Sequence, residues 1–204
     1  MKISEDLAKL NRERFQAFDD NPADIKTKQA AFAFAGDTYT GLQSDSLSVS
    51  DLAYAQDHLR ILSGLYGVLR PMDCIQPYRL EMGRKLQTKA GATLYAYWGE
   101  RIGQALDAAA NETPIINLAS NEYFKAAGKK MRSTVITPAF KEERDDGLKM
   151  IGLFAKKARG SMARYIVQNR VETLDDLKRF NTDGYKFNAE LSTQTDWVFT
   201  RKTP

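Results

Sequence analysis

Apolar residues recur at helical spacing from the start of the chain: Ile3, Leu7, Leu10 and Phe15 share a stripe, Ser4 offers a cap, and the pattern predicts a helix from Ile3 to Phe18. Asn21-Pro22 ends it. Ala30 to Ala35, two phenylalanines among alanines, reads as a short buried strand turned by Gly36-Asp37. Ser50 is expected to cap a helix with Leu52, Ala55, Leu59 and Leu62 on one stripe, stopping at Ser63-Gly64. Tyr78 to Met82 predicts a strand. Thr93 opens another helix, with Leu94, Trp98, Ile102, Ala105 and Ala109 inward. Ile115 to Leu118 has a buried-strand pattern, and Ser120 caps a short helix that Gly128 closes. Val135–Phe140 and Leu148–Phe154 read as a hairpin turning at Asp145-Asp146-Gly147, followed by a helix over Lys156–Asn169. Tyr185–Phe187 and Trp197–Thr200 are further strands. The sum is a mixed α/β (α+β) fold: residues 1–204 as a single domain, a mixed sheet with surrounding helices.

Composition narrows the chemistry. The 204 residues are 43% hydrophobic and 27% charged, ordinary for a globular chain and too apolar for disorder. No apolar run approaches the ~20 residues of a membrane span, and the charged opening lacks a signal-peptide core. No membrane partner is expected, and the cytoplasm is the expected location. One cysteine excludes an internal disulfide, and one histidine argues against a zinc site built from His and Cys.

Charge adds more by distribution than by sum. The net charge is only +4, yet Gly147 to Val171 holds Lys149, Lys156, Lys157, Arg159, Arg164 and Arg170 with no acid. At about 100° per residue, the last five of these cations fall within half of a helical wheel, while Phe154, Ala158, Met162, Tyr165 and Ile166 cover the opposite arc. Such a stripe suits phosphate, which needs only cations and backbone donors. An ordinary solvated helix face is the alternative, although that usually carries balancing acids at i±4. Arg60, Arg70 and Arg79 form another basic set in an apolar, aromatic stretch.

Four local features invite chemistry. In Leu62-Ser63-Gly64-Leu65-Tyr66-Gly67-Val68-Leu69-Arg70-Pro71, Gly64 and Gly67 permit positive φ and close backbone approach, to a phosphate or to a packed neighbour. His58 and Cys74 are the residue types of a thiolate pair, though cysteine is equally a common core residue. Asp37 and Glu81 are candidate acid–base carboxylates, and turn chemistry explains Asp37 as well. Asn117-Leu118-Ala119-Ser120-Asn121-Glu122-Tyr123-Phe124 places a polar cluster at a strand-to-helix junction, where α/β folds bind ligands and where Ser120 also serves as a cap. The glycine-rich nucleotide fingerprints are missing.

These segments together resemble the YaaA family of bacterial peroxide-stress proteins. The matching stretches are Gly36-Asp37-x-Tyr39-x-Gly41-Leu42; His58 to Pro71; Gln76-Pro77-Tyr78-Arg79-Leu80-Glu81-Met82-Gly83; Asn117 to Ser120 with Glu122-Tyr123-Phe124-Lys125; and Ala155 to Gly160 with Met162-Ala163-Arg164. They span nearly the whole chain. The resemblance implies a cytoplasmic, peroxide-induced protein that keeps unincorporated iron low, with an α/β fold, a basic cleft and a helix-hairpin-helix element engaging duplex and branched DNA. It also implies an opening strand with a Ser-Pro-Ala-Lys-like motif, and the chain is expected to begin after that segment. The helix-hairpin-helix candidate, Leu7 to Phe15, has Lys9 where a hairpin glycine is expected, so plain helix is the alternative there.

The expectation that follows is a DNA-associated stress protein, more an interaction protein than an enzyme, with no cofactor and no resident metal. Its backbone contacts to DNA would come from Arg60, Gly64, Gly67, Arg70, Arg79, Lys156, Lys157, Arg159 and Arg164, largely without base readout. The alternative is an enzyme acting on an anionic small molecule or nucleotide, with Glu81 as acid–base group beside Arg79, Arg70, Asn117 and Ser120. Direct iron sequestration lacks ligands of the usual kind.

Overall fold

The computed structural model describes residues 4–20, 27–128 and 130–203. In chain order the elements are α1 (Glu5–Gln16), β1 (Lys28–Gln29), α2 (Ala30–Ala33), α3 (Asp37–Leu42), α4 (Val49–His58), β2 (Ile61–Ser63), β3 (Gly67–Leu69), β4 (Cys74–Ile75), β5 (Lys85–Thr88) and β6 (Gly91–Thr93). They continue with α5 (Leu94–Trp98), α6 (Arg101–Ala110), β7 (Ile115–Ile116), α7 (Asn121–Phe124), β8 (Val135–Arg144), β9 (Gly147–Lys149), α8 (Gly152–Asn169), α9 (Leu174–Lys178), β10 (Lys186–Asn188) and β11 (Asp196–Lys202). The mixed α/β class is as expected. Packing divides the described residues into two compact units, each drawn from separate stretches of chain: 1–33, 60–109 and 120–131 in the first, 34–59, 110–119 and 132–204 in the second.

The second unit is built on a five-stranded mixed sheet ordered β10-β11-β8-β7, with β9 also paired to β8. β8 runs parallel to both β11 and β7, while β9 folds back on it antiparallel, with Arg144 opposite Gly147. Alternation along β8 turns Ile136, Pro138, Phe140 and Glu142 inward. Phe140 centres the core, its ring 5.2 Å from Tyr185, 5.6 Å from Phe199 and 6.0 Å from Phe180. The apolar arc of α8 (Ala155, Ala158, Met162) completes that cluster.

In α8 the glycine at position 160 has a packing purpose. A Cβ there would lie 1.8 Å from the Thr38 carbonyl oxygen, and one on Gly41 would lie 2.1 Å from that of Lys157. Helices α3 and α8 therefore cross backbone to backbone, which only residues without side chains allow.

The first unit holds three two-stranded ribbons, β1–β4, β2–β3 and β5–β6, with helices α1, α2, α5 and α7 and most of α6. Its core gathers Ile61, Leu69, Leu80, Met82, Leu94 and Ile102.

Several local expectations need correction. Within Ala30 to Ala35 the chain forms a helical turn, Ala30–Ala33, and no strand, since alanine favours helix and the Ala30 and Ala31 N–H groups bond the Asp73 and Pro71 carbonyls. Ser48, not Ser50, caps α4 through a capping box with Asp51, and the helix ends at His58, leaving Leu62 in β2. Tyr78 to Met82 forms no ladder. It is a loop that buries Leu80 and Met82. Gly99, at φ 55°, splits the helix after Thr93 into α5 and α6, and the resulting phase exposes Ala105 and Ala109 while burying Leu106. The strand expected over Leu148–Phe154 ends at Lys149, because α8 already starts at Gly152. Helix α1 runs unbroken through Lys9, so Leu7 to Phe15 is plain helix and no hairpin of the helix-hairpin-helix kind forms there. Ile3 and the Asn21-Pro22 stop lie outside the described residues.

Candidate functional site

In the first unit, the glycine segment is a β-hairpin. Ile61 pairs with Leu69 and Ser63 with Gly67, and Gly67 takes a φ of 77°. Both predicted glycines are buried. A Cβ on Gly64 would meet the Leu80 carbonyl oxygen at 2.4 Å, and one on Gly67 the Trp98 ring at 2.8 Å. The Trp98 indole N–H donates to the Gly64 carbonyl at 3.0 Å. The close approach these glycines permit is therefore filled by Leu80 and Trp98. At the hairpin tip Ser63 accepts from the Leu65 and Tyr66 N–H groups and sits 2.5 Å from the Tyr78 hydroxyl. Burial pushes the Tyr78 phenol up to about 12.

Arg79 and Glu81 meet in the loop that follows. Arg79 Nη2 lies 2.9 Å from Glu81 Oε1, and Arg84 Nε donates to the other carboxylate oxygen at 2.7 Å. Glu122, at the start of α7, accepts the Gly83 N–H at 2.8 Å. Beside them the Tyr123 phenol is held above its ordinary range by burial and by the charges of Glu122 and Glu81. Ser120 accepts the Tyr123 N–H, as a cap does. Arg70 is exposed and pairs loosely with Asp73 at 3.4 Å. Arg60 is half-buried. Thus Arg60, Gly64, Gly67, Arg70, Arg79, Glu81 and Ser120 fall in the first unit, with Arg79 and Glu81 in direct contact. Glu122 and Tyr123, from the polar junction that follows Asn117, join them, as does Arg84, which sequence reasoning does not single out although it stands three residues after Glu81, a spacing that pairs opposite charges.

The second unit carries Lys156, Lys157, Arg159 and Arg164 on α8, a helix of 18 residues with no acid. Lys156 and Lys157 are exposed. Lys156 Nζ is 3.7 Å from Asp37, whereas Lys157 has no ion pair among the described residues. Arg164 turns back, donating to the Leu42 and Gln43 carbonyls at 3.1 and 2.9 Å, where α3 ends. Arg159 is half-buried, and burial alone lowers its pKa. Its Nη1 lies 3.5 Å from the Leu118 carbonyl oxygen. Asn117 is buried and folds the loop after β7 by accepting the Ala119 N–H at 3.1 Å. Arg170, also on the basic arc, pairs with Asp51 at 2.9 Å and stacks over Tyr54. His58 stacks on Tyr54 as well, in the second unit, and Cys74 is exposed in the first.

Among the described residues no group of three or more His, Cys, Asp or Glu is placed to hold a metal ion, and no helix is long and apolar enough to cross a membrane.

A family model described as peroxide stress protein YaaA matches residues 1–191. The chain belongs to this family. Its relatives include the UPF0246 protein of Maricaulis maris, 56% identical across all of this chain and 78% of the relative. UPF0246 proteins of Roseobacter denitrificans and Caulobacter vibrioides are 54% and 55% identical, again over the whole chain and 81% of their own length. The stretches that carry the YaaA resemblance meet pairwise in space. Gly41 lies on the α8 stretch, Gly64 on Leu80, and Gly83 on Glu122.

Proposed function

We propose that this YaaA-family chain binds DNA through its phosphate backbone, largely without base specificity, and thereby limits iron-dependent oxidative damage under peroxide stress. The observation that carries the reading is α8: 18 residues without an acid, presenting Lys156 and Lys157 to solvent in its second turn, with Lys157 unpaired among the described residues. An exposed helix ordinarily balances its cations at i±4, and this one leaves a field for polyanions. Lys156 and Lys157 are the backbone contacts in the second unit, with Arg159 half-buried a turn further on and Arg164 holding α3 in place. Arg60, Arg70 and Arg79 are the corresponding cations of the first unit, and Gly64 and Gly67 seat the hairpin that precedes Arg70.

Fluorescence anisotropy of labelled duplex, four-way junction and single-stranded DNA across a salt series tests this. Affinity should fall steeply with salt, with a slope of roughly −0.9 in log K per phosphate neutralised on B-DNA. Exchanging both lysines for glutamate should abolish binding. Unchanged affinity and slope in that double variant would refute the placement.

A second reading has one observation in its favour. Glu81, clasped by Arg79 and Arg84 beside the Tyr123 phenol, is arranged as an acid–base group among cations, as an enzyme acting on an anionic small molecule would require. Asn117, part of the same expectation, belongs to the other unit. Turnover of an anionic substrate lost in Glu81→Gln would favour that reading over DNA binding.

A further inference from the structure

Several arginines of this chain have a carboxylate. Arg70 has Asp73, Arg79 and Arg84 share Glu81, Arg170 has Asp51, Arg179 has Asp176 and Arg201 has Glu142. Arg159 is different. No Asp or Glu among the described residues pairs with it, although it is half-buried, and unlike Arg164, which also lacks a carboxylate, it has no close carbonyl bonds in its place. Its contacts are two carbonyl oxygens, Ala155 at 3.3 Å and Leu118 at 3.5 Å, both beyond the usual N–H···O range of about 2.7–3.2 Å. Neither is a close bond, and the remaining guanidinium donors stay open to solvent. A cation withdrawn from water without a counter-ion is costly, and its pKa is lowered by that burial.

Its position is that of a ligand anchor. Leu118 follows β7, which runs parallel to β8 with Ile115 opposite Val135, and loops at the carboxyl ends of parallel strands are where α/β folds bind ligands. Asn117 folds this loop through its bond to the Ala119 N–H. One helical turn earlier, exposed Lys156 adds a second cation, held only loosely by Asp37 at 3.7 Å.

We propose that Arg159, supported by Lys156, anchors a site for a phosphate monoester at the loop after β7. The guanidinium fork matches a tetrahedral oxyanion, which supplies the missing counter-charge. A half-buried guanidinium is reached by a terminal phosphate, whereas a mid-strand diester, flanked by sugars on both sides, meets the exposed Lys156 and Lys157. The ligand is thus the phosphorylated end of a DNA strand or a free phosphate monoester such as a nucleoside monophosphate. The first of these sources rests on the proposed DNA binding, and the site itself does not.

The test uses the full chain with two duplexes that differ only in a 5′-phosphate or 5′-hydroxyl on the unlabelled end. Inorganic phosphate and a nucleoside monophosphate serve as competitors and as ligands in thermal-shift measurements. The expected result is about tenfold tighter binding of the 5′-phosphate duplex, an increment lost in Arg159→Gln, partly kept in Arg159→Lys and competed away by the free monoesters. Equal binding of both duplexes, with no shift in Tm from either free ligand, would overturn the site. Salt-steep binding of the 5′-hydroxyl duplex would meanwhile leave the DNA reading standing. No DNA binding, but a phosphate-dependent Tm shift of the wild type that Arg159→Gln removes, would uphold the site with the free monoester as its ligand. A 5′-phosphate preference that survives in a folded Arg159→Gln would also overturn it. Should that variant fail to fold, Arg159→Lys and the wild-type thermal shift still decide.

Discussion

Glu142 and Arg201 stand opposite each other in the parallel pairing of β8 with β11, and Arg201 Nε lies 3.1 and 3.0 Å from the two carboxylate oxygens. The carboxylate is fully buried, and the Tyr185 hydroxyl donates to it as well. Arg201 also donates from Nη1 to the Asp183 carbonyl at 3.0 Å, holding a residue whose φ is 56°. One buried anion thus ties two strands and the turn before β10 to a single register.

Removing one partner of such a pair leaves an uncompensated buried charge. Glu142→Ala should lower the unfolding free energy by about 3–5 kcal/mol, measured by urea denaturation. The double change Glu142→Leu with Arg201→Met should cost far less than either single change suggests, because no charge is stranded. A loss under about 1 kcal/mol in Glu142→Ala would mean the network is not what holds the register.

Sequence alone does not reveal Glu142, and the reason is physical. Period-two alternation from Ile136 through Phe140 is legible, and two more residues along it lies the glutamate, but the apolar pattern stops at Phe140. Its partner stands 59 positions away, and nothing local announces a parallel pairing at that distance. Helix α8 and strands β10 and β11 are legible because their apolar spacing agrees with their burial. Tyr78 to Met82 alternates like a strand, yet its Arg79 carbonyl accepts from the Asn11 side-chain amide at 2.9 Å, and not from a neighbouring strand. The cations of the candidate site are readable as residue types only. Whether an arginine meets a nearby carboxylate, as Arg84 does, or a carbonyl 122 positions away, as Arg164 does, depends on packing that sequence spacing does not encode.

The backbone crossing of α3 and α8 makes an equally direct prediction. Gly160→Ala would push a methyl into the Thr38 carbonyl, where a Cβ has only 1.8 Å. Parting the helices should cost about 1–3 kcal/mol or more. Gly152, in the same helix, is the control, since a Cβ there meets nothing within 4 Å and alanine should be neutral or stabilising. Thermal melts of the two variants, followed by circular dichroism, should move in different directions. Equal Tm values would show that the helices do not cross so closely.

Tyr78 couples stability to alkaline pH. Burial raises its phenol from 10.0 to about 12, so the folded state favours the protonated form. Its contribution is complete below pH 10 and is lost as pH rises through 12, each pH unit between those two values removing about 1.4 kcal/mol. Tyr185, raised in the same direction by burial and by its bond to Glu142, adds to the trend. Unfolding free energy measured at pH 9 and near pH 11.5 should therefore fall by about 2 kcal/mol or more in the wild type. Tyr78→Phe should show a smaller fall, having already given up its bond to Ser63 at neutral pH. An identical fall in both proteins would exclude Tyr78 as a source.

Lys157 and Arg164 separate affinity from stability. Both sit on α8, seven residues apart in a sequence without acids, yet only Arg164 is committed, bonding the Leu42 and Gln43 carbonyls at the end of α3. Gln43 itself is held at a φ of 50°, where its backbone needs that support. A charged donor to such carbonyls contributes about 1.5–3 kcal/mol, so Arg164→Gln should lower Tm by several degrees. Lys157→Gln breaks nothing in the fold and should leave Tm within a degree. On DNA the order reverses. Lys157→Gln should reduce the magnitude of the salt slope by roughly 0.9, the loss of one phosphate contact, while Arg164→Gln should retain the wild-type slope at temperatures where it is folded. If instead Arg164→Gln flattens the slope and Lys157→Gln does not, Arg164 leaves the α3 carbonyls to meet phosphate, and the two cations exchange roles.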